Sequence, residues 1–200
     1  MANRKKPAYR DPTLLAQDIF NISDHLHAPV MIIGDIFQAG EEYGFAFLRE
    51  MKRRPLANHI AFEFFVPPSR AQLKNISESV SNFNIEISPE SHDEEVRKAF
   101  GRPYNNESLE KMLEDAIDLG SKRIDLFFMT GLPKQTYSSV LNTVEYCRTL
   151  LERFRSYNKL FPFISPLAPF LDPGSLVFEA PEKYGYRLLY RTVEGHRQAL

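Results

Sequence analysis

The sequence predicts an α/β fold, an incomplete parallel (β/α) TIM-like barrel, and three observations carry that expectation. Short apolar runs near residues 29–33, 59–66, 83–88, 124–129 and 160–164 alternate with longer stretches whose apolar residues recur at helical spacing. Ile124, Leu126, Phe127, Phe128 and Met129 form a nearly unbroken apolar run, as expected of a parallel strand covered on both faces. Several runs end in polar or glycine-rich punctuation: Gly34-Asp35, Glu90-Ser91 and Thr130-Gly131. Parallel strands joined by crossover helices deliver such ends to one rim.

Residues 1–12 have no periodic apolar pattern and read as an extended lead-in; residues 13–200 read as one barrel domain with a C-terminal helical extension. Asp11-Pro12 is a helix start, and Leu14, Leu15, Asp18, Ile19, Ile22 and Leu26 trace the expected buried face. Residues 29–33, PVMII, are expected to be a buried strand. A helix over 41–54 follows, stopped by Pro55, and then a strand over 59–66 interrupted by Glu63. Pro67-Pro68-Ser69 opens a helix that buries Leu73, Ile76 and Val80.

Residues 83–136 form a strand, helix, strand unit. Ile85 and Ile87 alternate, and Pro89 is expected to stop the strand so that Glu90 and Ser91 stand at its edge. Ser91 is a candidate cap for the next helix, and His92 is expected to face solvent. Asn106 is expected to cap a helix carrying Leu109, Met112, Leu113, Ala116 and Ile117, closed by Gly120. The longest helix runs over 137–155 with Val140, Leu141, Val144, Leu150, Leu151 and Phe154 available for packing. Residues 160–164 are the last strand, and residues 165–175 form a proline-rich loop in which Leu167 and Phe170 could cover a pocket. Tyr184, Tyr186, Leu188, Leu189, Tyr190 and Val193 are expected on a final helix against the barrel.

Composition excludes several classes. Apolar residues make up 43% and charged residues 26%, so neither disorder nor a membrane span is indicated. A net charge of −1 leaves no electrostatic footprint for nucleic acid. No apolar run reaches the ~18 residues of a spanning helix and no signal-peptide core is present, which makes the cytoplasm the expected location. One cysteine, Cys147, excludes an internal disulfide framework, and its place in a helical pattern makes it a packed thiol.

The patterns SPES at 88–91, GRPY at 101–104 and FFMTGLPKQT at 127–136, in this order and spacing, resemble the C-terminal half of the radical S-adenosylmethionine (SAM) core. The tail from residue 163 resembles the cobalamin-binding subgroup. The resemblance implies a radical SAM barrel whose first strand and cysteine loop lie upstream of Met1, and a chain that is part of a longer parent. Members hold a 4Fe-4S cluster on three thiolates of a CxxxCxxC loop; this chain has none, so it is expected to be inactive alone.

The resemblance also implies site residues. Gly34-Asp35 matches the turn that approaches the SAM amino group, although the usual wording there is GGE, and Asp35 reads equally as a plain loop acid. Glu63 matches a third-strand glutamate near that amino group or the substrate, with structural pairing to a cation as the alternative. Glu90, with Ser91, matches the position contacting the SAM ribose or carboxylate. Gly131 would let backbone approach the adenine, with Phe128 and Met129 as an apolar wall, and Arg102 either reaches a carboxylate on the rim or bridges two helices. The implied cofactors are S-adenosylmethionine and, in the parent, a 4Fe-4S cluster, with cobalamin on a domain outside this chain. The expected partner is a small-molecule substrate, with self-association through an exposed barrel edge also open. Two other readings stand beside this one: a non-catalytic barrel module, and a divalent-metal barrel enzyme using Asp35, Glu63 and Glu90.

Overall fold

In the computed structural model, which describes residues 8–166 and 174–199, five strands form one sheet in the order β1-β2-β3-β4-β5, every neighbouring pair parallel. The strands are β1 (Val30–Ile32), β2 (Ile60–Phe64), β3 (Phe83–Glu90), β4 (Arg123–Thr130) and β5 (Leu160–Pro166). The helices are α1 (Pro12–His25), α2 (Glu41–Met51), α3 (Arg70–Ser79), α4 (Glu94–Ala99), α5 (Asn106–Asp118), α6 (Tyr137–Arg153), α7 (Leu176–Glu179) and α8 (Val193–Ala199). Sequential order without reversal is the expected partial TIM-like barrel: each strand returns beside its predecessor through a helix, and all strand C-termini share one rim. Among the described residues β1 and β5 each pair on one side only.

Register assigns the two faces. Val30, Ile60, Phe83 and their successors Ile32, Phe62, Ile85, Phe64 and Ile87 lie level across three strands, continued by Ile124, Leu126 and Leu160, and all are buried in the core with Leu73, Leu109, Leu113 and Leu150 from the helices. The alternate residues, Met31, Glu63, Glu86, Asp125, Phe127 and Phe163, line the other, more open face.

Local signals explain the helix starts. Asp11 caps α1 through Thr13 and Leu14 N–H, with Pro12 in the first position. Ser69 and Gln72 form a reciprocal capping box at α3.

Several expectations are corrected. Pro89 does not stop β3: the strand runs to Glu90 through an irregularity in which three steps from Ile87 to Glu90 oppose two from Leu126 to Phe128. A bulge leaves one residue outside the ladder, which is where a proline without an N–H is tolerated. The 29–33 strand is shorter and not buried throughout: Met31, 45% exposed, stands on the open face of edge strand β1, and Ile33, 85% exposed, follows its end. In α1 the buried stripe is Ala16, Ile19, Phe20 and Ser23, while Leu14, Ile22 and Leu26 are exposed; the helix has apolar residues on more than one side, and periodicity alone does not choose between them. In α6 the buried stripe is Ser139, Thr143, Cys147 and Leu150, with Leu141, Val144 and Leu151 exposed.

The caps also shift. Asp93, not Ser91, caps α4, and Asn105, not Asn106, caps α5. His92 is half-buried, its Nδ1 3.0 Å from Thr143 Oγ1, instead of facing solvent. The final helix is not continuous: a 3-10 turn at Pro181–Tyr184 gives way to irregular chain before α8, with Leu189, Tyr190 and Val193 exposed. Ser165 and Pro166 belong to β5, and the Leu167 and Phe170 cover lies outside the described residues.

Candidate functional site

The C-terminal ends of four consecutive strands, β1 to β4, assemble a rim. At the end of β1 the chain turns through Gly34, whose φ of +92° lies in the left-handed region. Its N–H donates to Glu63 Oε2 at 2.6 Å, so the β1 turn is tied directly to the open face of β2. Asp35 turns inward on its own loop and accepts from Phe37 N–H at 2.7 Å. Burial pushes its carboxyl above the usual range, partly offset by that N–H. Glu63 thus has a backbone donor as its partner, not a cation.

β3 ends on the most constrained residue of the rim. Glu90 has φ of +67°, and Ser91 N–H reaches back to Pro89 C=O at 2.8 Å, the hydrogen bond of a γ-turn centred on Glu90. For a non-glycine residue that conformation is costly and marks a place where the surroundings dictate the backbone. Glu90 is 2% exposed. Arg102 Nη2 donates to its Oε1 at a long 3.4 Å, while its guanidinium lies over the Phe65 ring at 4.5 Å. Arg102 therefore reaches the rim carboxylate, the first of its two expected roles. Burial pushes the Glu90 carboxyl up to about 7 despite Arg102, so near neutrality it is partly an uncharged acid able to donate as well as accept.

Among the described residues, three buried polar atoms in this cluster have no partner: Glu90 Oε2, Arg102 Nε and Tyr104 Oη. Burial likewise pushes the Tyr104 phenol up to about 12. Leaving such groups unpaired costs free energy, and together they offer an acceptor, a donor and a hydroxyl that can do either.

β4 ends at Thr130, and Gly131 turns with φ of +87°. Gln135 Oε1 accepts from Gly131 N–H at 2.7 Å and Leu132 N–H at 3.1 Å, and its Nε2 donates to Met129 C=O at 2.9 Å, so one side chain holds the GLP turn. Tyr186 Oη donates to Gly131 C=O at 2.6 Å, pinning the C-terminal segment over this strand end. Of the expected apolar wall, only Met129 lies on the open face. Phe128 is fully buried on the helix side, edge-on to Tyr146, and Phe127 takes the open position, stacked on Phe163 at 5.3 Å. Within an unbroken apolar run every residue looks alike in sequence, and alternation settles the face only once register is known.

Gly34 and Glu63 are thus in contact, Glu90 is joined to Arg102, and Gly131 occupies the next strand end; Ser91 is fully buried. Sequence reasoning passed over Tyr104 as a site residue, and over Arg97, Gln135 and Tyr186. Tyr104, Gln135 and Tyr186 sit inside recognised stretches, so the GRPY and GLP-x-x-T spacings and the tail were the available signal.

No group of three or more His, Cys, Asp or Glu among the described residues could hold a metal ion, so Asp35, Glu63 and Glu90 do not form the expected divalent site. Cys147 is buried in α6, with burial pushing its thiol up to about 11, and as the sole cysteine it cannot supply three cluster thiolates. The residues present do not fit an iron-sulfur cluster. No helix among the described residues is long and apolar enough to cross a membrane.

Comparison with known proteins gives a consistent picture. The family model described as the radical SAM superfamily matches residues 2–147. No curated protein matches the chain. Among solved structures, archaeal Elp3 from Methanocaldococcus infernus, with an N-terminal deletion of residues 1–46, superposes with a TM-score of 0.52 at 15% identity, over 86% of this chain and 45% of its own. The chain therefore spans under half of that protein. Arginine decarboxylase of Paramecium bursaria Chlorella virus matches at a TM-score of 0.37 and 13% identity, over 87% of this chain and 58% of its own, too loosely to bear on the fold.

Proposed function

This chain belongs to the radical SAM superfamily, and from that premise we propose that its strand ends form the cradle for S-adenosylmethionine in a radical enzyme. The observation that carries the reading is the trio of buried atoms without a partner among the described residues, Glu90 Oε2, Arg102 Nε and Tyr104 Oη, beside the end of β3. They fit a ligand bearing hydroxyl, carboxylate and amino groups. Glu90 and Arg102 would hold the ribose or carboxylate, Glu63 and the Gly34-Asp35 turn would lie toward the amino group, and Gly131 with Met129 and Phe127 would line the adenine. The chemistry S-adenosylmethionine supplies in this superfamily is reductive cleavage at its sulfonium, which starts radical reactions on a substrate.

The protein's own contribution is binding and orientation. Glu90, buried and partly neutral, can donate to or accept from a ligand hydroxyl without a net charge to desolvate. Arg102, stacked on Phe65, is held in one orientation before any ligand arrives. Cluster thiolates would have to come from outside these 200 residues, so the chain alone is expected to bind and not to turn over. The tail's resemblance to the cobalamin subgroup supports methyl transfer in the parent, with a small-molecule substrate and a cytoplasmic setting. The edge of β1, which has no neighbouring strand on one side among the described residues and leaves Met31 and Ile33 exposed, supports self-association.

A second reading, a non-catalytic barrel module with a vestigial cradle, is favoured by the single buried cysteine. Calorimetric titration of S-adenosylmethionine into the chain decides between them. The cradle reading expects saturable 1:1 binding that Arg102→Met weakens at least tenfold. Absence of binding to the unaltered chain would leave the module reading.

A further inference from the structure

We propose that Arg97 is a positioning residue for this site: its guanidinium locks the turn that sets Glu90 at the rim. This rests on the cradle reading of the β3 end and names a residue outside the motifs that suggested it.

Arg97, on α4, is fully buried, and no acidic side chain among the described residues forms an ion pair with it. Its acceptors are neutral. Nε and Nη2 both donate to Ser91 C=O, at 3.0 and 2.8 Å; Nη1 donates to Tyr104 C=O at 3.0 Å, and Nη2 also to Asn106 Oδ1 at 2.5 Å. The guanidinium lies 4.9 Å from the Tyr104 ring centroid. Asn106 Nδ2 continues the network to His92 C=O at 3.0 Å. One side chain thereby ties the residue after Glu90 to the backbone and ring of Tyr104, the two flanks of the unpartnered cluster.

A buried cation that hydrogen-bonds only to neutral acceptors, with Asp93 and Glu94 acting on it only at longer range, is a poor route to stability, since an apolar side chain of similar volume would avoid the desolvation. What the planar fork delivers is geometry: two donors converging on one carbonyl oxygen fix the Ser91 peptide, and the neighbouring γ-turn holds Glu90 in the left-handed region. Lysine keeps the charge but presents a single point of donation and cannot reproduce that fork.

The test compares the full chain with Arg97→Lys, and with Leu150→Ala as a remote core control that lowers stability without touching the network. Backbone NMR shifts of Glu90 (Cα and Cβ) report its conformation, and calorimetry reports S-adenosylmethionine affinity. Arg97→Lys is expected to move the Glu90 shifts from left-handed to extended values and to weaken binding at least tenfold, while Leu150→Ala leaves both in place. Left-handed Glu90 shifts in Arg97→Lys overturn the proposal. Should Arg97→Lys fail to fold, Asn106→Ala, which removes one acceptor of the fork, replaces it: a smaller displacement in the same direction supports the proposal, and unchanged shifts overturn it. An unaltered chain that binds no S-adenosylmethionine sinks the cradle reading, while the shifts still decide the role of Arg97.

Discussion

Gly34 and Glu63 meet at 2.6 Å across neighbouring strands, the N–H of a left-handed turn donating to a carboxylate on the open face of the sheet. The turn after β1 is thereby held by the strand beside it, which also gives a half-buried carboxylate an acceptable partner.

Removing that acceptor should be felt in stability. Glu63→Ala is expected to cost about 1–2 kcal/mol in urea denaturation, the range for a hydrogen bond to a charged group discounted for partial exposure. Glu63→Gln, which keeps a neutral acceptor, should cost about half as much. A Glu63→Ala protein as stable as its parent would show that the Gly34 turn is held by other contacts.

Glu90 makes the protein less stable toward high pH. Its folded-state carboxyl, raised from 4.5 to about 7, keeps its proton where the unfolded chain has lost it. Its stabilising effect is therefore full below about pH 4.5 and is lost as pH rises through about 7. Glu90→Gln should abolish this slope, gaining roughly 1–3 kcal/mol over the parent at pH 8 and little at pH 4. Parallel denaturation midpoints for the two proteins across that window would contradict the burial argument.

Asp115 acts in the opposite sense. Its own burial raises its carboxyl, but hydrogen bonds from Lys111 at 2.6 Å and Arg70 at 2.5 Å outweigh that and hold it below the usual range. Stability from this group is present above the unfolded value near 3.8 and is lost as pH falls through the lower folded value. Asp115→Asn should cost about 1 kcal/mol at pH 7, the two cations being largely exposed, and less near pH 2. Equal losses at both pH values would point to packing and not charge.

Cys147 should be chemically quiet. Burial raises its thiol to about 11, leaving roughly a hundredth of the thiolate of a free cysteine at pH 8. Ellman's reagent should react with the native protein on the order of 100-fold more slowly than with the same protein in denaturant. Native labelling at the denatured rate would place the thiol at the surface.

Sequence and structure divide along a physical line. Element type and order were legible because they depend on short-range quantities: the alternation at Ile85 and Ile87, the helical spacing of Leu109, Met112 and Leu113, the Asp11-Pro12 start and the Gly120 stop. The motifs around Glu90, Arg102 and Gly131 were legible for the same reason, being local spacings that place polar groups at strand ends.

Only the tertiary structure decided which face a residue takes and which partner it finds. Phe127 and Phe128 are identical in sequence terms, yet strand register put one on the open face and the other in the core. Whether Glu63 met a cation or a backbone N–H depended on where Gly34 fell on the adjacent strand, and no local spacing encodes that distance. Pro89 fell inside an irregularity between the Ile87 and Glu90 pairs to β4, and the strand ended just beyond it in the γ-turn centred on Glu90, a pairing that no local spacing announced. Local rules act over a few residues, whereas burial and pairing are settled by chain segments tens of residues apart meeting in space.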